Sequence, residues 1–174
     1  MVTKNSRLET PHDSTALRSH FREAMARMAC PVSVVTSLDG SRPHGTTVSA
    51  IMSLSMDPEF LLASLNGESD LLEIVKRTGR FGVNLLADGQ AQLAMKFATE
   101  GAEKFSDVDW RLSEDVPRIV GSYFWLACTL HDTAPYGDHE LLVGSITAVE
   151  IDPDRKPLVY ELRRFVTTAL IPTS

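Results

Sequence analysis

Apolar residues recur at helical spacing in a few short stretches of this chain and at strand spacing through most of the rest. Leu17, Phe21, Ala24, Met25 and Met28 step by three and four, one face of an amphipathic helix. Ser14 stands where an N-cap would. Cys30-Pro31 closes the run, because proline keeps the residue before it out of helical geometry. Residues 32–38 are rich in β-branched side chains and end at Asp39-Gly40, a hairpin signal. The return strand is expected to run through residues 45–56 and to break at Asp57-Pro58. Residues 60–65 form the next strand and end at the turn pair Asn66-Gly67. Leu71, Leu72 and Val75 predict a short helix over 69–77, and Leu93, Ala94 and Phe97 a second over 90–98. Between them, residues 81–86 read as a strand. Residues 99–118 are charged and aperiodic and are expected to form a long surface excursion, a length that is usually functional or mobile in a compact domain. Residues 122–130, 140–151 and 157–160 are strands again, the first two joined through Tyr136-Gly137-Asp138-His139. Residues 1–13 lack periodicity and read as a flexible tail ahead of one domain over 14–174. About six or seven strands, joined mostly by turns, predict a mainly β antiparallel barrel rather than a doubly wound sheet.

One stretch is oddly written for a core strand. From Gly45 to Pro58, Thr47, Ser49, Ser53 and Ser55 alternate with Val48, Ile51, Leu54 and Met56, with one slip of phase near Ala50. Alternate residues of a strand face opposite sides. One side is therefore apolar and the other carries small hydroxyls. Two readings fit: an ordinary solvated face, or a bed that lets a flat ligand approach the backbone and hydrogen-bond along its polar edge.

Composition narrows the function class. The chain has 174 residues, 43% hydrophobic and 23% charged, which suits a globular domain with a real core. A net charge of −6 argues against a general nucleic-acid binder. Cys30 and Cys128 lie far apart, outside any metal-type spacing, and read as reduced buried thiols. The polar opening residues show no signal peptide and no apolar run is long enough to span a membrane, so a cytoplasmic setting is expected. No G-x-S-x-G elbow, paired-histidine metal spacing, G-x-G-x-x-G or Walker loop is present. Ser69, in Asn66-Gly67-Glu68-Ser69, either caps its helix or turns the helix N-terminus toward an anion, while Glu68 and Asp70 already answer the dipole. His139 is either a turn residue or a ligand contact at a barrel mouth. Lys104-Phe105 is either a solvated lysine over a pinning ring or a ligand-side pair.

Taken in order, these pieces resemble the flavin reductase-like family with the FMN-binding split-barrel fold. The pieces are Phe21 to Met28, Pro31 to Thr36, His44 to Ala50, Ser53 to Pro58, Phe81 to Leu86, Leu93-Ala94 with Phe97-Ala98, Lys104-Phe105, Gly137-Asp138-His139, Val143-Gly144 and Pro157 to Tyr160. The likeness covers about residues 17 to 168. It implies a homodimer of six-stranded barrels that uses NADH or NADPH to reduce FAD or FMN and hands the reduced flavin to a separate monooxygenase, with no role for nucleic acid or membrane. It implies that Thr46, Thr47, Val48, Ser49 and Ala50 lie along the isoalloxazine. Ser49 and Ser53, with Asn66 and Ser69, would lie near the ribityl chain and phosphate. Lys104 and Phe105 would form a further flavin-side element, and His139 would stand near the nicotinamide. The chain departs from the family at Ala50, where a second serine is common, and at Glu59, where a second proline is common. A non-catalytic flavin- or heme-binding carrier or sensor on the same barrel is the alternative.

Overall fold

The computed structural model describes residues 14–99, 101 and 103–171; the expected tail, residues 1–13, lies outside them. Helix α1 (Ser14–Ala26) leads into β1 (Cys30–Pro31), β2 (Ser33–Asp39), β3 (Arg42–Val48), β4 (Ile51–Met56) and β5 (Glu59–Asn66). Helix α2 (Asp70–Thr78), β6 (Arg80–Leu85) and, after a single 3-10 turn, helix α3 (Ala91–Ala98) follow. Then come β7 (Trp110–Ser113), β8 (Val116–Ile119), β9 (Phe124–Tyr136), β10 (His139–Ile151), β11 (Leu158–Glu161) and β12 (Arg164–Thr167). The principal sheet is antiparallel and seven-stranded, in the order β3-β2-β6-β9-β10-β5-β4. The architecture is the expected mainly β split barrel with short helices, with seven strands in its principal sheet where the family resemblance implies six.

The expected single strand over 45–56 is two strands. β3 pairs with β2 and β4 with β5, so they form opposite edges of the principal sheet. Only Ser49 and Ala50 separate them. Three Cα steps from Val48 to Ile51 span at most about 11 Å, so the sheet must curl until its two edges face each other. The twist of an antiparallel sheet supplies that curl. The edges do not pair, and the barrel stays open along a seam. Ser64 donates its N–H to Ala50 O at 2.9 Å, which fixes the crossing against β5. The phase slip near Ala50 is this crossing.

Inside the barrel, Val35, Ala63, Phe81, Val83 and Leu142 are fully buried, and α2 closes one end with Leu72 and Val75. Gly79, in left-handed geometry at φ 69°, stops α2, its N–H donating to Val75 O at 2.8 Å. A second core lies outside the barrel, where Ala94 and Phe97 of α3 pack on Val34, Leu86 and Leu158. Cys128 points into the first core, and burial pushes its thiol up to about 12. It therefore carries no thiolate at neutral pH. Ellman's reagent on the native protein is expected to titrate at most Cys30, with Cys128 appearing only on denaturation; rapid modification of both would contradict this burial.

The excursion expected over 99–118 holds structure of its own. β7 and β8 form a hairpin whose Val116 and Ile119 are buried. Its turn residues, Glu114 and Asp115, both take positive φ, 49° and 61°. That is the geometry of a tight two-residue hairpin turn, which usually displays Asn-Gly. Thr36 Oγ1 donates to Pro117 O at 2.6 Å, and Ile119 N–H donates to Asn84 Oδ1 at 2.7 Å, so buried polar groups of the barrel wall hold the hairpin down. Leu162 and Arg163 repeat the turn geometry between β11 and β12.

Candidate functional site at the barrel seam

The seam opens into a cleft. Its inner part, about 210 Å³, is walled by Thr46, Thr47, Val48, Ser49 and Ala50 from the crossing, by Ser64, Leu65 and Asn66 from β5, and by Ser69 and His139. An outer part of about 540 Å³ runs on past His44, Glu68, Asp70, Thr99, Lys104 and Phe105. Thr46, Asn66 and Ser69 belong to both walls, so the two spaces adjoin. Every residue expected at the site lies on this cleft except Ser53. That hydroxyl is on β4, opposite Leu61, and donates to Met56 Sδ at 3.7 Å.

The crossing meets the cleft largely through its backbone. Thr47 Oγ1 is engaged elsewhere, donating to Ala94 O of α3 at 2.7 Å. Gly45 is small for packing reasons: a Cβ there would meet the Phe97 ring at 2.9 Å. Ser49 and Ala50 are exposed and lie between strands. Their carbonyls are engaged, Ser49 O accepting from Ile51 N–H at 3.1 Å and Ala50 O from Ser64 N–H at 2.9 Å, so it is their N–H groups that can serve a ligand.

The two turns beside the cleft are one unit. Asn66 and His139 are register partners across β5 and β10. Asn66 Oδ1 accepts from Glu68 N–H at 2.8 Å, and Gly67 N–H donates to Asp138 O at 2.9 Å. Ser69 precedes α2 but its side chain makes no cap bond, which leaves the hydroxyl on the cleft wall. His139 Nδ1 lies 2.8 Å from Asp138 Oδ1. The hydrogen bond from His139 comes first among the causes holding the Asp138 carboxyl below its usual range. With Nδ1 directed to that carboxylate, Nε2 is the ring nitrogen left for a ligand.

Lys104 and Phe105 serve the fold as well as the cleft. Lys104 Nζ donates to Phe97 O at 3.1 Å, and the Phe105 ring sits edge-on to Phe97 at 4.9 Å and to Trp110 at 5.6 Å. His44 is a wall residue that motif reading passed over. Its Nε2 is buried with no hydrogen-bond partner among the described residues. Burial, with Arg42 second, holds its imidazole below the usual value, so it is neutral. The signal was its place two residues before Thr46, on the same face of the strand.

A flavin reductase like domain model matches residues 25–169. The chain belongs to the flavin reductase-like family. Among its relatives, the reductase component of 4-hydroxyphenylacetate 3-monooxygenase from Thermus thermophilus is 34% identical, over 86% of this chain and 95% of that one. The NADH:riboflavin 5'-phosphate oxidoreductase of Streptomyces pristinaespiralis is 35% identical, over 84% of this chain and 86% of that protein. A solved NADH:FAD oxidoreductase from Streptomyces globisporus, in complex with NAD and FAD fragments, superposes with a TM-score of 0.83 at 28% identity, covering 94% of this chain and 98% of that one. The last two names pair NADH with a flavin, riboflavin 5'-phosphate in one and FAD in the other, and the split barrel of this flavin reductase-like chain carries its cleft where the two sheet edges meet.

Proposed function

We propose that this chain is an NAD(P)H:flavin oxidoreductase that reduces FAD or FMN and releases the reduced flavin to a separate oxygenase. The observation that carries this reading is the cleft along the open seam, walled by main chain and small hydroxyls rather than by a nucleophile or metal ligands. Bound flavin supplies the two-electron chemistry, accepting hydride from the reduced nicotinamide; the protein's task is to bind and orient. Thr46 to Ala50 lie along the ring system, and main-chain N–H groups there offset charge that develops on it. Asn66 and Ser69 hold the ribityl and phosphate end. His139, oriented by Asp138, positions the nicotinamide carboxamide. The cleft's openness suits a flavin that arrives and leaves as a substrate. A flavin-band bleach on adding NADH or NADPH under anaerobic conditions is the expected result. No bleaching with any pairing of nucleotide and flavin would overturn the reading, and a retained flavin that neither nucleotide reduces would make the protein a carrier.

The working unit in this proposal is a homodimer. Phe21 of α1 is 61% exposed and Met56 of the edge strand β4 is 78% exposed, with Leu17, Met25, Met52 and Leu54 also in the open. Among the described residues, α1 is held to its own barrel by Leu162 N–H to Ala26 O at 2.6 Å and by Arg163 to Glu23 at 2.9 Å, not by its apolar face. Exposed apolar surface on that scale marks an interface. Light scattering is expected to give twice the 19.2 kDa of one chain, and Phe21→Glu to shift the mass toward one; a monomeric wild type would end the proposal.

A further inference from the structure

We infer that the Lys76–Glu140 ion pair is a positioning device for His139, fixing the start of β10 against α2 so that the imidazole is presented to the nicotinamide in one orientation. This rests on the flavin-reductase reading above. Lys76 Nζ lies 2.7 Å from Glu140 Oε2, with the exposed Glu73 a more distant second carboxylate at 3.7 Å. An ion pair in open water contributes little. The Glu140 side chain, however, is 13% exposed, and a carboxylate so far withdrawn from water needs its cation. Each partner favours the charge of the other. The hydrogen bond with Lys76 comes first among the causes holding the Glu140 carboxyl below its usual range, and the hydrogen bond with Glu140 first among those raising the Lys76 ammonium.

The pair stands where the sheet gives out. β9 has β6 beside it from Phe124 to Thr129, while its pairing with β10 runs on to Tyr136. Leu130 N–H donates to Gly79 O at 2.8 Å, and beyond that bond no strand flanks β9 on this side among the described residues. The tip of the β9–β10 arm, which carries His139, is therefore flanked by a strand on the β5 side alone. Glu140 faces the same way as Leu142, which is fully buried in the barrel. Its carboxylate is thus directed to the barrel end that α2 closes, and Lys76, in the last turn of α2, meets it there. Glu140 shares a peptide bond with His139, so holding its side chain holds the piece of strand from which the imidazole projects. Ser69 stands directly ahead of the same helix. Through α2, two walls of the inner cleft, Ser69 and His139, are set against one element. A displacement of about 1 Å in a positioned group can cost up to about a hundredfold in rate.

The test is a double-variant cycle on the full chain, read in the KM for the nicotinamide nucleotide. Glu140→Gln keeps the shape and removes the charge. It is expected to raise that KM about threefold or more, with the flavin KM within about twofold. In a His139→Ala background the same change is expected to add nothing, because the pair acts through the imidazole. Lys76→Gln, at the more exposed end of the pair, goes through the same cycle and decides the matter if Glu140→Gln does not fold. A nucleotide KM that the folded variant leaves unchanged overturns the inference. So does a rise of equal size in both backgrounds, which would make the pair a support of the fold alone. The wild-type assay separates the two levels. Flavin reduction with either failed cycle removes this inference by itself, and no reduction of any flavin with NADH or NADPH removes the reading beneath it.

Discussion

His139→Ala raises the KM for the nicotinamide nucleotide about tenfold, while the KM for flavin stays within about twofold. The first figure corresponds to roughly 1.4 kcal/mol, the scale of one well-placed hydrogen bond. The asymmetry follows from the role proposed for His139, whose Nε2 would meet the nicotinamide while the flavin would be held mainly by main chain at the seam. His139 starts β10 beside Asn66, on the wall of the same inner cleft. Asp138→Ala is expected to give a smaller loss in the same direction, since it frees the imidazole to turn rather than removing it. The pH dependence has a definite sign. The Asp138 carboxyl is held below its usual range, so its hydrogen bond with His139 is fully present above the ordinary carboxylate value and fails only as pH falls through the lowered one. Any acid limb of the rate profile above the ordinary carboxylate range belongs to another group. Steady-state kinetics varying each substrate in turn decide the matter: an unchanged nucleotide KM in His139→Ala takes His139 out of the site.

Gly144→Ala is the second large effect, and it acts on the fold. A Cβ at Gly144 would stand 2.4 Å from Phe81 Cζ and 2.9 Å from the Cys128 Cβ. Phe81 is fully buried and fills the barrel, so its ring has nowhere to retreat. Overpacking of this kind costs typically about 1–3 kcal/mol, a large share of the margin of an ordinary domain. Adding Phe81→Leu makes room and is expected to recover part of the loss, because residues in direct contact do not behave additively. Urea unfolding of the wild type, both single variants and the double variant measures this coupling. Simple additivity of the two losses would show that the contact is not the cause.

Residues whose local chemistry and tertiary role agree were legible in the sequence. Asp39-Gly40 announced the β2–β3 hairpin because glycine there takes the left-handed geometry the turn needs, φ 60°. Leu71, Leu72 and Val75 announced α2 because its buried face follows the helical period. The seam was hidden because alternation continues on both sides of Ser49-Ala50, and periodicity cannot say that a strand has changed partners. The β7–β8 and β11–β12 hairpins were hidden because Glu114-Asp115 and Leu162-Arg163 take positive φ without glycine or asparagine to advertise it. At the site, the turn residues and small hydroxyls stood out by type. His44 did not, since a single histidine in a strand becomes telling only once its Nε2 is seen buried and unmatched.

The seam bears on how freely this family can vary. A binding surface built from the main chain of a two-residue crossing keeps its hydrogen-bonding groups whatever side chains hang there. Ala50, where the resemblance leads one to expect a serine, lacks a hydroxyl but keeps the main-chain groups that the proposed ring bed would use. Connection length is the quantity such a site cannot trade. One residue inserted between Ser49 and Ala50 would part the two sheet edges and misplace every main-chain group at once, where a dozen substitutions would not.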